Sequence, residues 1–132
     1  MSETTKTAPT DLLIARFVDL SELLGRVEND RELLAELFAM FQQEFPILQD
    51  ELHDAMRMKN LLRIATAAHT LKGLLANLSM RHCAKLAASI EAAARSEDIP
   101  AIYVTLAAFD LEIAALPSAV SAFISGQQEC RF

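Results

Sequence analysis

One short run of this chain, Ala68-His69-Thr70-Leu71-Lys72-Gly73, places three residue types at a spacing that suits group transfer. An exposed neutral imidazole carries a nucleophilic ring nitrogen near neutral pH, since an unperturbed histidine has a pKa of about 6.5. If Nδ1 of His69 keeps its proton in a hydrogen bond, Nε2 at the ring's outer edge is free to take a phosphoryl group. The P–N bond so formed is reactive enough to pass the group on to an aspartate. In-line transfer needs positioning and charge neutralisation more than covalent machinery. Lys72, three residues on, is near enough for its ammonium to neutralise the phosphoryl oxygens. Gly73 costs about 1 kcal/mol relative to alanine inside a helix, and it leaves open space one turn after the imidazole. On this reading the chain needs no cofactor and holds no metal, while the partner brings magnesium and the acceptor carboxylate.

These residues need a helix whose other face is buried. From about Asn60 to Leu78, the positions Leu61, Ile64, Ala68, Leu71, Leu75 and Leu78 recur at helical spacing. On a wheel of ~100° per residue their centre lies about 130° from His69, so His69 points outward. Leu62, Ala65, Thr66, Lys72, Gly73, Ala76 and, if the helix extends, Met80 share its face. Small alanines between apolar Leu62 and Met80 predict a smooth, partly greasy docking surface, with Arg81 and Arg95 at its basic rim.

The flanking segments predict a bundle around this helix. Asp11 to Leu24 is a short amphipathic stretch, with Gly25 as its stop. A long helix capped by Asp30 runs to about Arg57, its stripe being Leu34, Leu37, Phe41, Phe45, Leu48 and Leu52. Pro46 should kink it locally. After a tight connection at Ser79 to Arg81, another helix packs Cys83, Leu86, Ile90 and Ala93. The last begins near Pro100, carries Ile102, Leu106, Phe109, Ile113 and Leu116, and bends at Pro117 before Val120 and Phe123. The expectation is an all-α fold: an antiparallel four-helix bundle with a short N-terminal capping helix. It occupies residues 11–126, between a flexible tail at 1–10 and another at 127–132.

Composition agrees with one helical domain, being 52% hydrophobic and 23% charged in 132 residues with only three glycines. The net charge of −6 disfavours nucleic acid. Its distribution is uneven. Between Ala55 and Ser96 the only acid is Glu91, against Arg57, Lys59, Arg63, Lys72, Arg81, Lys85 and Arg95. An electropositive middle in an acidic chain suits an acidic or phosphorylated partner. The polar N-terminus lacks the apolar core of a signal peptide, and no apolar run approaches the ~20 residues that cross a bilayer. Cys83 and Cys130 make neither a CxxC pair nor a zinc spacing, so reduced thiols in a cytoplasmic protein with no membrane role are expected, and a four-helix core that can close without a second chain predicts a monomer. His53 follows Asp50 at i,i+3, half of a bundle metal site without its second half. His82 reads as a surface residue near the docking rim.

The Ala68–Gly73 run resembles the AHxLKG motif of histidine phosphotransfer (HPt) domains. The segments ELLAELFAMFQQEFPILQDELHDAM and LAASIEAAARSED are also similar to that family's, and the likeness spans about residues 11 to 125. The resemblance implies a four-helix bundle phosphorylated on His69, with Lys72 supporting the phosphoryl group and Gly73 leaving room for it. It implies as partners the receiver domains of hybrid sensor kinases and response regulators. Where several members place a Gln that orients the imidazole, this chain has Glu91. Two roles are open to that carboxylate: accepting the Nδ1–H bond, or pairing with Arg95 at i,i+4. Where the family often has Gly, this chain has Ser79. No nucleotide-cradling Gly-rich loop is present, so the expected role is a phosphorelay intermediate without autokinase activity. A receiver-binding adaptor without phosphotransfer is the alternative. A kinase dimerisation module would show an acid directly after the histidine, and Thr70 stands there.

Overall fold

The computed structural model describes residues 9–129, and every regular element among them is a helix. In chain order these are α1 (Pro9–Ile14), α2 (Leu20–Arg26), α3 (Arg31–Arg57), α4 (Leu61–Asn77), α5 (Arg81–Arg95), α6 (Ile99–Glu112) and α7 (Leu116–Glu129). Four starts are set by a short polar side chain that satisfies an otherwise orphaned amide of the first turn. Asp19, Asp30, Asn60 and Asp98 accept from the amides of Glu22, Leu33, Arg63 and Ala101 at 2.9–3.1 Å. Pro46 lies inside α3 without ending it.

The bundle turns share one construction. The amide of Asn60 donates to the carbonyl of Ala55, Met80 to Leu75 and Asp98 to Ala93, at 2.9–3.0 Å. In each, the preceding residue is left-handed: Lys59 at φ 53°, Ser79 at φ 57° and Glu97 at φ 58°. This is the Schellman closure, which most often employs glycine. Here the residue after each closure is already the N-cap of the next helix, so antiparallel reversal takes three residues.

α4 packs between α3 and α5, its contact with α5 being the most extensive in the fold. α6 lies on α5, and α7 closes the ring against α3. The core runs the length of α3 through Leu34, Phe38, Phe41, Phe45 and Leu52. It meets Ile64, Leu71 and Leu75 of α4, Ile90 of α5, and Ile102 and Phe109 of α6 in one cluster. Phe38 meets Phe123 of α7 edge-on, with ring centroids 5.2 Å apart. Arg31 ties α1 to α7, donating to Asp11 at 2.9 Å and to Gln127 at 2.8 Å.

Three local expectations change. The N-terminal segment is two short helices, because Asp19 caps a new one while its amide donates to the carbonyl of Ser79. Gly25 lies within α2, and the stop comes from left-handed Glu28 and Asn29. The last helix breaks at residues 113–115, before Pro117, which sits in the first turn of α7.

The stretch Ile99–Gln127 is, by length and composition, apolar enough to cross a bilayer, contrary to the expectation that no run approached that length. Its buried side chains Ile102, Leu106, Phe109, Val120 and Phe123 belong to the bundle core. The expected tails fall mostly outside the described residues, although α1 begins at Pro9 and α7 reaches Glu129. Cys83 is buried, and desolvation together with the Glu112 carboxylate pushes its thiol up to about 11. Cys130 lies outside the described residues.

Candidate functional site

Two adjacent helices build the site. α4 presents His69, Lys72 and Gly73, and α5 presents Glu91 and Arg95 across the most extensive seam of the bundle. The His69 side chain is 61% exposed, whereas that of Glu91 is only 12% exposed. His69 Nδ1 lies 3.1 Å from Glu91 Oε2 and 3.3 Å from Oε1. Lys72 Nζ is 3.2 Å from Oε1. Arg95 donates to Oε2 through Nε at 3.1 Å and Nη2 at 2.9 Å. The two roles open to Glu91 are therefore filled together.

Glu91 is nearly buried, and His69, Lys72 and Arg95 converge on its carboxylate. Desolvation alone would raise its pKa, but hydrogen bonds from Arg95, Lys72 and His69 outweigh that and bring it down from 4.5 to about 2. The group is thus a carboxylate near neutral pH, and a carboxylate only accepts hydrogen bonds. A neutral His69 must carry its proton on Nδ1 to bond with it. The lone pair then falls on Nε2, which has no hydrogen-bond partner among the described residues.

Gly73, one turn along α4, is exposed. A Cβ built at Gly73 meets nothing within 4 Å, so no close helix contact explains the glycine. Lys72 is half-buried, and its ammonium shares the Glu91 carboxylate with the imidazole.

The surrounding face is partly as expected. Leu62 is 73% exposed, and Thr66 and Ala76 are exposed. Two expected members are not on it. Ala65 is buried because its side of α4 turns toward α5, the same side on which Lys72 reaches Glu91. Met80 is fully buried because α4 stops at Asn77; left-handed Ser79 folds the chain back and α2 covers the turn. Arg81 is exposed but held by Glu22, with Asp19 at 3.7 Å. Arg95 is exposed but committed to Glu91.

The contribution of α2 was not read from the sequence. Arg26 donates to the Ser79 hydroxyl at 3.0 Å, and with Lys72, Arg81 and Lys85 it lines an open groove of about 380 Å³ beside the site. The polar, charged spacing of Arg26 carried no signal, since its role depends on α2 folding back onto the α4–α5 turn. The other histidines lie elsewhere. His53 Nε2 meets Asp110 of α6 at 3.1 Å, and His82 is 3.6 Å from Glu112. No group of three metal-binding side chains exists among the described residues.

A comparison with family models matches residues 36–119 to the Hpt domain. No curated protein and no solved structure matches the chain. The matched region starts within α3 and ends within α7, so it contains the whole His69–Glu91 site, all of α4, α5 and α6, and most of α3. The chain accordingly belongs to the Hpt domain family, helical bundles with a histidine phosphotransfer role in phosphorelays.

Proposed function

We propose that this protein accepts a phosphoryl group on His69 Nε2 from a receiver-domain aspartate and returns it to the aspartate of another receiver. The observation that carries this reading is the oriented imidazole: Nδ1 faces the Glu91 carboxylate at 3.1 Å while Nε2 is bare. Lys72 neutralises the arriving oxygens, and Gly73 leaves them room. The donors and acceptors are receivers of hybrid sensor kinases and response regulators, which bring their own magnesium. The protein acts as a cytoplasmic monomeric carrier, without ATP binding or autokinase activity. Leu62, Thr66 and Ala76 form the apolar-to-neutral part of the docking face, and Arg81 belongs to its basic rim.

The deciding experiment incubates the protein with a phosphorylated receiver and magnesium, then follows acid-labile, alkali-stable label on the bundle. His69→Gln abolishes labelling. Equal labelling of that variant would show that the phosphoryl group goes elsewhere. A receiver that binds the wild type without ever labelling it would favour an adaptor.

A further inference from the structure

We infer that Arg95 is a positioning residue for transfer: it holds the Glu91 carboxylate in place so that Lys72 is free to leave it for the phosphoryl group. This rests on the proposed phosphorylation of His69.

The carboxylate is divided between its two cations. Arg95 sends both its hydrogen bonds to Oε2, and Lys72 sits on Oε1. His69 Nδ1 bridges the two oxygens, with the shorter distance to Oε2. When transfer occurs, the Nε2 lone pair forms the N–P bond as the P–O bond to the partner's aspartate breaks. The bonding pair returns to that carboxylate, and Nδ1 keeps its proton. The ring thereby becomes cationic, and the phosphoryl oxygens that arrive beside Lys72 compete with Oε1 for its ammonium.

If Lys72 were the only counter-charge, its departure would leave Glu91 anionic, scarcely exposed and free to rotate. Arg95 removes that difficulty. Its planar fork fixes Oε2, so the Nδ1–H bond survives while Oε1 releases Lys72. Arg95 therefore acts on the reacting nitrogen through Glu91, and touches neither the phosphoryl group nor the imidazole. Because its side chain is 58% exposed, solvent tempers the effect.

The test uses the full chain with a phosphorylated receiver and magnesium, and Arg95→Gln as the variant. At saturating receiver the transfer rate falls roughly 3- to 10-fold, at or below the ~10-fold low end of what losing a partner behind a reactive group costs, because Arg95 is exposed. The half-saturating receiver concentration stays the same. Nitrogen-15 spectra of the unphosphorylated protein show His69 passing from a single Nδ1–H tautomer to a mixture. Arg95→Lys restores part of both signals. In a Glu91→Gln background the Arg95→Gln change adds nothing.

A rise in half-saturating concentration alone, with the saturated rate and tautomer unchanged, would make Arg95 a docking contact and overturn the inference. Independent, additive effects of the two variants would overturn it as well. A wild type that never takes label removes the phosphoryl reading itself. Wild-type transfer with an Arg95→Gln protein identical in rate and spectrum removes only the role of Arg95. The tautomer is read without any receiver, so it decides in either case.

Discussion

Replacing Gly73 by alanine should make this protein more stable and less able to transfer. Gly73 lies in the interior of α4, four residues from its end, and is exposed. A Cβ at that position meets no atom within 4 Å, so no clash offsets the gain in helix propensity. That gain is about 1 kcal/mol. For a chain of 132 residues, with an unfolding entropy near 2.1 cal/mol/K per residue, it corresponds to a rise in Tm of about 3–4 °C. Thermal unfolding followed by circular dichroism measures it directly. The same methyl lies on the face of His69, one turn along, where the phosphoryl oxygens would arrive on the proposed reading. Transfer from a phosphorylated receiver should therefore slow with alanine and stop with leucine, although both variants keep their helix content. The two readouts move in opposite directions, as expected where function retains an unfavourable residue. A loss of stability in Gly73→Ala would mean that the glycine serves packing. Wild-type transfer by Gly73→Leu would refute the argument that the glycine keeps an approach open.

Two further outcomes follow from the same coordinates. The folded pKa of Glu91, about 2, lies below its ordinary 4.5, so its ionised form contributes stability that is fully present above pH 4.5 and lost as pH falls through 2. The stability gap between wild type and Glu91→Gln, measured by denaturant unfolding, should shrink across that window, and a gap independent of pH would contradict the hydrogen-bonded cluster. Glu97 holds φ 58° at the α5–α6 turn, where a side chain costs about 1 kcal/mol or more, so Glu97→Gly should raise the unfolding free energy by roughly that amount; destabilisation would show that the turn is not strained.

The helices of the bundle were legible because their cores are periodic and their starts are polar. Asp30 both reads and acts as a cap, and the stripes Leu34–Leu52 and Ile64–Leu75 enclose the observed core. The place of the α4–α5 turn was legible as the tight connection at Ser79 to Arg81, but the conformation of the turns was not. Lys59, Ser79 and Glu97 carry left-handed backbone with no glycine to announce it, whereas the chain's glycines sit elsewhere. Met80 was misplaced for that reason, since a wheel continues past Asn77 and the chain does not. Ala65 was misplaced for another: a wheel centred on one helix cannot say how far a neighbour wraps around it. His69, Lys72 and Gly73 could be grouped on one face from their spacing alone. The division of the Glu91 oxygens between α4 and α5 required the register of the two helices, and no local pattern encodes that.

That division also answers the objection to a carboxylate in a phosphoryl site. Glu91 alone would repel an incoming dianion, and an amide at this position would not. Yet the carboxylate comes with Lys72 at 3.2 Å and Arg95 at 2.9 Å, so the cluster around a neutral imidazole carries a net positive charge. The acid therefore costs the site little attraction, and it brings something an amide lacks. An amide can turn to donate or to accept, and would tolerate either tautomer of the ring. A carboxylate held well below its ordinary pKa accepts only, and so it keeps the proton on Nδ1 and the lone pair on Nε2. On the proposed phosphorylation the ring becomes cationic, the same charge would stabilise it, and Lys72, once released, would neutralise the phosphoryl oxygens. On the inferred role of Arg95, Glu91 suits this site because Arg95 stands behind it.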